Sequence, residues 1–384
     1  MKTQIMLILG TSLLFQLISC KTSGKESSDE IKPQTRQYIL LVGTYTSGSA
    51  ASKSDGIYVY RVNFDSMKFD LMHTTKASNP SYLCLSQDKK YLYCVNENSP
   101  GQVSAFRIDS SYLPVHINTV SSQGSYPCYI SDDNTGKYLM VANYGSGNFV
   151  LLGKNADGSL TQALSVIQDK GKGPNSSRQE GPHAHMIIQN PFNNIVYATD
   201  LGTDRVHAFL IDTLAKRLTG PMSSYVTAPG AGPRHLAIHP TGRWMYILSE
   251  LNGTIEVTNI NPDNGSLVKV QTLSTLEEGE TRYPGSADIH IAPNGKYLYA
   301  TNRGDINNIA CFTIDAQTGQ LSPQSHVPSG GRTPRNFCID PTGHYLLVAN
   351  QDSNNIVVFS IQDDGTLKEV YTFTVPMPVC LKFL

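Results

Sequence analysis

Charged side chains are scarce in this 384-residue chain, at 16% of residues, and the two signs nearly cancel to a formal net charge of −1. No dense Lys/Arg patch breaks that balance, so nothing electrostatic points to nucleic acid. The seven cysteines contain no C-x-x-C pair and no other zinc-type spacing, which removes the usual structural zinc sites. The apolar run from Ile5 to Ile18 is too short to cross a bilayer comfortably. What is plentiful is 31 Gly, 21 Pro and 20 Tyr, with 40% hydrophobic residues. That composition suits many short strands joined by tight turns around an ample core.

The N-terminus reads as a targeting segment. Lys2 precedes the Ile5–Ile18 run, which has the length of a secretory h-region. The run ends in Leu17-Ile18-Ser19-Cys20, which resembles the lipobox of bacterial lipoproteins. The resemblance implies lipidation at Cys20, a membrane partner through that anchor, and export to the bacterial envelope, periplasmic or outer-membrane. The alternative is an ordinary signal peptide with a chance cysteine. Residues 21–37 are polar and Ser-rich, as expected of a flexible tether. Of the six remaining cysteines most lie in apolar, strand-like runs and are expected to be buried thiols. Cys84 and Cys94, on expected neighbouring strands, are the one pair an exported protein offers for a disulfide.

From Tyr38 onward a single pattern repeats. Short apolar runs that mostly end in Asn, Asp or Ser begin at Tyr38, Tyr91, Tyr138, Ile195, Trp244, Tyr297 and Tyr345, in steps of 47 to 57 residues. Most are preceded by a proline-led strand, as in Pro233–Gly242. They are followed by a V-x-x-F strand such as Val206–Phe209, then by a Gly turn and a Leu, as in Asp364-Gly-Thr-Leu367. Four strands per unit of about fifty residues, seven times over, predict an all-β, seven-bladed β-propeller of antiparallel blades over residues 38–384. Pro378–Phe383 is a proline-led strand without a successor, and the unit starting at Tyr38 lacks one. The C-terminal strand is therefore expected to complete the first blade and close the ring. A closed ring of this kind is expected to be a monomer.

In such a ring the heads of the channel-lining strands and the ends of the second strands share one mouth. His185, Arg234 and Arg335 occupy one register position there; Asp288, His235 and Asn336 occupy the next; Glu250, Asn302 and Arg303 end second strands. Convergent His, Arg and carboxylate groups in a concave mouth fit a polar small-molecule site. His183 and His185, two apart in an expected strand, also permit a metal, but no third ligand accompanies them, so no metal or cofactor is expected. His239 and His290 read as structural.

These residues carry a resemblance. Gly181-Pro-His-Ala-His-Met186, Asp200-Leu-Gly-Thr-Asp-Arg205, Gly232-Pro-Arg-His-Leu236, Glu250 and Asn302-Arg-Gly304 resemble the propeller-type lactonase family. That family includes bacterial 6-phosphogluconolactonases, and the same fold serves 3-carboxy-cis,cis-muconate lactonizing enzymes. The resemblance implies hydrolysis of a sugar-acid lactone, 6-phosphoglucono-1,5-lactone in particular. His185 or His183, Arg234 and Glu250 match the catalytic positions, with His as general base, Arg234 on the carbonyl or on a substrate acid group, and Glu250 orienting Arg234 or acting as acid. Arg303 and Arg335 would clamp a phosphate or carboxylate, and Asp288, His235, Asn302 and Asn336 would complete the substrate site. A cycloisomerase with the same site, or a non-catalytic envelope scaffold, are the other readings. Export sits awkwardly with a lactone made in the cytoplasm, which leaves an unphosphorylated lactone as an alternative substrate.

Overall fold

The structure, a computed structural model, describes residues 37–47 and 53–384. The expected signal peptide, Cys20 and the tether up to residue 36 lie outside them. Seven four-stranded antiparallel sheets make up the chain. In six of them strand order follows the sequence from the channel outward, as in blade 5: Pro233–Ile238, Trp244–Ser249, Thr254–Ile260 and Leu267–Ser274. The runs recognised in the sequence are the second strands. They are buried on both faces, which is why Trp244–Ser249 is apolar almost throughout rather than alternating. The outermost strands face solvent on one side. Leu160–Gln168 accordingly alternates between half-buried and exposed positions after its buried first residue.

Blade 1 is built from both ends of the described chain. Pro378–Phe383 pairs antiparallel with Gln37–Thr44, from Leu40 opposite Phe383 to Thr44 opposite Pro378. The closing strand is also tied to its neighbours: Leu381 N–H donates to Asn336 Oδ1 (2.8 Å) in blade 7, and Leu83 N–H reaches Cys380 Sγ (3.3 Å) from blade 2.

Several neighbouring blades are locked by the turn that follows a third strand, at Gly158, Gly265, Gly319 and Gly365. Gly365, in one such turn, has φ of +84°, a conformation that L side chains rarely adopt. A Cβ there would lie 2.2 Å from the Tyr297 ring of blade 6, and its carbonyl accepts the Tyr299 hydroxyl (2.8 Å). The glycine in the repeated Asp-Gly-Thr-Leu turn is thus a packing requirement between blades as well as a turn residue.

All six cysteines of the propeller carry free thiols. Cys84 sits opposite Tyr93 and Cys94 opposite Leu83. The two are therefore one residue out of register, their side chains leave opposite faces of the sheet, and the pairing considered from sequence does not form.

Ring closure makes a checkable stability claim. Leu381 is 1% exposed and belongs to the core shared by blades 1 and 7. Leu381→Ala is expected to lower the unfolding free energy by about 2–5 kcal/mol, read by urea denaturation at pH 7. A loss below about 1 kcal/mol would mean that the closing strand contributes little.

Candidate active site

One backbone contact recurs in every blade and builds the mouth. The residue immediately after each second strand donates its N–H to the carbonyl of the segment leading into the innermost strand. The pairs are Tyr45 to Met377, Glu97 to Asn79, Tyr144 to Tyr126, Leu201 to His183, Glu250 to Gly232, Arg303 to Pro284, and Gln351 to Thr333, all at 2.8–3.1 Å. These seven residues therefore form one tier. Below it, the innermost strands of blades 1, 3, 4, 5 and 7 begin with a β-bulge, as between Ala184 and Met186, Pro233 and His235, and Pro334 and Asn336. A bulge leaves one residue unpaired and breaks the strict alternation of side chains. The unpaired residues are His185, Arg234 and Arg335, with Cys128 and Val379 in blades 3 and 1. The next residues inward, His235, Asp288 and Asn336, make a third and innermost tier.

The bulge also separates the two adjacent histidines. His183 falls outside the strand, which begins at Ala184. Its ring stacks on Tyr144 (4.5 Å, 18°), with Nδ1 on the Tyr144 carbonyl (3.0 Å) and Nε2 on Glu180 Oε1 (3.1 Å). His185 meets Tyr144 and His235 edge-on, at 5.7 and 5.2 Å. It is 4% exposed, and neither ring nitrogen has a hydrogen-bond partner among the described residues. Burial, and then the charges of Arg234, His235, Arg335 and Arg303, hold its pKa well below the usual histidine value, so it is neutral at pH 7.

Arg234 is 2% exposed and held on three sides. Its Nε donates to Glu250 Oε2 (3.0 Å) and its Nη1 to the Ala287 carbonyl and to His235 Nε2 (3.3 Å). Only Nη2 has no partner among the described residues. Gly232, two residues earlier, fixes this approach. It adopts φ of +67°, its N–H donates to Asp204 Oδ1 (2.8 Å), and a Cβ there would lie 2.7 Å from Leu251.

Glu250 gathers three guanidinium groups. Arg234 and Arg303 contact Oε2 at 3.0 and 2.9 Å, and Arg178 contacts Oε1 at 2.6 Å. Burial raises its pKa, but the charges of Arg303, Arg234 and Arg178 outweigh it and bring the carboxyl down to about 2. Glu250 is thus a carboxylate at any neutral pH. Arg335 has far less company. Its nearest carboxylate, Glu97, is 3.7 Å away, and its guanidinium stacks over the Tyr45 ring at 5.3 Å. Tyr45 hydroxyl in turn donates to Glu97 (2.8 Å).

The inner tier is self-satisfied. His235 Nδ1 donates to Asp288 Oδ1 (2.7 Å), while Asn336 Nδ2 (2.5 Å) and His290 Nε2 (3.1 Å) reach Asp288 Oδ2. Burial raises the Asp288 pKa, but His290 and His235 more than offset it, leaving the carboxyl well below its usual range. His290 therefore belongs to the channel. His239 does serve structure, bridging Thr241 and the Gly295 carbonyl at 2.9 and 3.1 Å.

His183, His185, Arg234, Glu250, Arg303, Arg335, His235, Asp288 and Asn336 thus lie at one end of the channel in three levels. Asn302 does not join them. Its amide donates to the Thr275 carbonyl (3.0 Å) and Asn308 Oδ1 (2.9 Å), and its oxygen accepts from Thr275 (2.8 Å) and Ser286 (2.6 Å). Asn96, Asn143 and Asn350 make the same bond to Ser78, Ser122 and Ser329 carbonyls. Asn302 is one of four equivalent asparagines that fasten the scaffold.

Sequence reasoning passed over Arg178, Tyr144, Tyr283, Glu97 and Tyr45. A signal existed for Tyr45, Glu97 and Tyr144, since each directly follows one copy of the repeated run, as Glu250 does. Arg178 and Tyr283 lie in loops that the repeat does not index.

A closed seven-bladed ring with a buried His/Arg/carboxylate constellation at one mouth defines a small-molecule site. The chain belongs to the family described as lactonase, 7-bladed beta-propeller, whose profile matches residues 39–383. It is 33% identical over 353 residues to a 6-phosphogluconolactonase of Bacillus subtilis, covering 91% of this chain and 99% of that one. A Bacteroides fragilis crystal structure described as a proposed 6-phosphogluconolactonase superposes with a TM-score of 0.85 at 38% identity, over 92% and 100% of the two chains. A periplasmic gluconolactonase of Pseudomonas aeruginosa does so with 0.85 at 32% identity, over 91% and 99%.

The buried histidines predict acid sensitivity. The folded pKa of His235 is about 4, against 6.5 for an unperturbed imidazole, because of burial first and Arg234 second. Its stabilising contribution is complete above pH 6.5 and is lost as pH falls toward 4, since the unfolded chain binds the proton first. Glu250 adds a similar loss only below about 4.5. Between pH 6.5 and 4.5 the melting temperature of the wild type should fall, and that of His235→Asn should fall less. Equal slopes would assign the acid sensitivity elsewhere.

Proposed function

We propose that the protein is a lactone hydrolase, a carboxylic ester hydrolase that opens 6-phosphoglucono-1,5-lactone or a closely similar sugar-acid lactone to the hydroxy acid. The observation that carries this is the neutral, unpartnered His185 beside an Arg234 whose only free donors are on Nη2. Hydrolysis needs a base for water and a donor for the oxyanion, and these two groups supply them. His185 takes a proton from water as its oxygen bonds to the lactone carbonyl carbon. The carbonyl electrons move to oxygen, where Arg234 Nη2 stabilises the charge. As the ring C–O bond breaks, the imidazolium returns the proton to the leaving alkoxide, giving a hydroxyl and a carboxylic acid that ionises. Glu250, already ionised, orients Arg234 rather than delivering a proton. His183, held by both nitrogens, shapes the wall beside Tyr144.

Four arginines, Arg178, Arg234, Arg303 and Arg335, stand among Glu97, Glu250 and the deeper Asp288 around this mouth, and guanidinium groups so placed favour an anionic substrate. Arg335, whose contact with Glu97 is long at 3.7 Å, and Arg303 would hold the sugar hydroxyls of the substrate and, after ring opening, the new carboxylate.

Export follows from the N-terminal run and Cys20, and the similarity to a periplasmic gluconolactonase is in keeping with it. The wild type should incorporate labelled fatty acid when expressed in bacteria and Cys20→Ser should not; equal labelling of the two, or no labelling of the wild type, would rule out the lipid anchor at Cys20.

The enzymatic test uses lactone opening corrected for spontaneous hydrolysis. Both His185→Ala and Arg234→Met are expected to lower kcat by about 10²–10³-fold, with unchanged far-UV circular dichroism. Full activity in either variant removes that residue from the mechanism.

A further inference from the structure

The fifteen residues 169–183 between blades 3 and 4 contain no strand or helix, an unusual length of irregular chain for a compact domain. They are nevertheless pinned. The Asn175 carbonyl accepts the N–H groups of Arg178 (3.2 Å) and Gln179 (2.7 Å). Gln179 is fully buried, and its amide donates to the Leu201 carbonyl (2.8 Å) and Asp204 Oδ1 (2.7 Å). A turn fixed in this way projects the adjacent Arg178 over the mouth.

There Arg178 reaches three different loops. Its Nη2 contacts Glu250 Oε1 (2.6 Å) and the Tyr144 hydroxyl (3.2 Å), and its Nη1 donates to the Tyr283 hydroxyl (2.9 Å). Its side chain is 34% exposed, whereas Arg234 and Arg303 are 2% and 16% exposed. Nε and one hydrogen of Nη1 have no acceptor among the described residues. Arg234 and Arg303 share one oxygen of Glu250, and Arg178 holds the other together with a longer contact from the Tyr283 hydroxyl (3.4 Å). Glu250 would therefore keep two guanidinium partners if Arg178 turned toward a ligand.

We propose that Arg178 is a specificity-determining residue that binds the terminal phosphate of the substrate, distinguishing phosphorylated from unphosphorylated sugar-acid lactones. This rests on the lactonase reading for the identity of the substrate. With the lactone carbonyl at Arg234 and His185, deep in the channel, the far end of a six-carbon chain extends toward the rim, where Arg178 sits. A planar guanidinium with free donors, steadied by two phenol hydroxyls, matches a phosphate dianion.

The test separates anion recognition from catalysis. Binding of 6-phosphogluconate and of gluconate is measured by calorimetry on wild type, Arg178→Gln, Arg178→Lys and Arg217→Gln, the last an exposed arginine on the outer strand of blade 4. Arg178→Gln should weaken 6-phosphogluconate about tenfold or more, as loss of a charge-assisted hydrogen bond does, and weaken gluconate much less. Arg178→Lys should recover part of the loss, and Arg217→Gln should match wild type. Equal weakening of both sugar acids, no weakening of either, or a wild type that does not prefer the phosphorylated acid overturns the proposal. Thermal melting of each variant identifies any that fails to fold, and Arg178→Lys then decides. Absence of lactone turnover in the wild type would remove the hydrolase reading, whereas the calorimetric comparison would still decide the role of Arg178.

Discussion

Everything described at the mouth depends on the pairing of Pro378–Phe383 with Gln37–Thr44. A propeller blade cannot bury both of its faces alone; it needs a neighbour on each side, and a linear array would leave two faces open. The chain meets that constraint by splitting one blade between residues more than three hundred positions apart. Closure then imposes a second constraint. Seven channel-lining strands converge on one axis, so residues from blades distant in sequence become neighbours. Tyr82 of blade 2 and Tyr129 of blade 3 meet the His235 ring of blade 5 edge-on by this route, at 6.3 and 5.5 Å between ring centroids.

The bulges convert that scaffold into a site. In a regular strand Arg234 and His235 would leave opposite faces. With one unpaired residue between Pro233 and His235, they instead meet through Nη1 and Nε2 at 3.3 Å. The resulting buried charge is balanced locally. Glu250 carries three guanidinium contacts, while Asp288 is matched by two histidines and an asparagine. Isolated buried ions are costly; Glu250 is paired with guanidinium groups, and Asp288 accepts hydrogen bonds from His235, His290 and Asn336. Exceptions to such balance are where a ligand has something to offer. Arg335 meets its carboxylate, Glu97, only at 3.7 Å, and His185 has no hydrogen-bond partner among the described residues.

The fold was legible because it repeats. Runs such as Tyr297–Asn302 are apolar over most of their length since they lie inside their sheets, and seven similar runs fix both blade number and the orphaned C-terminal strand. The register of His185, Arg234 and Arg335 could be counted for the same reason. Counting failed where a repeated feature was mistaken for a special one. Asn302 recurs as Asn96, Asn143 and Asn350, and recurrence marks a scaffold residue. It failed again where alternation was assumed across a bulge, as for His183 and His185. Arg178 was out of reach altogether, because a loop outside the repeat has no register from which its direction can be read.

The difference between His183 and His185 shows how little sequence distance decides. Both lie against Tyr144, one stacked and one edge-on. His183 uses its two nitrogens on the Tyr144 carbonyl and Glu180, so it holds the wall that Tyr144 forms, and through the Tyr144 hydroxyl that wall also supports Arg178. His185, lifted by the bulge into the channel, loses every protein partner and is kept neutral by burial and the surrounding arginines. A base must be free to accept a proton, whereas a positioning residue must not be. One unpaired residue at the head of a strand assigns the two histidines to these opposite tasks.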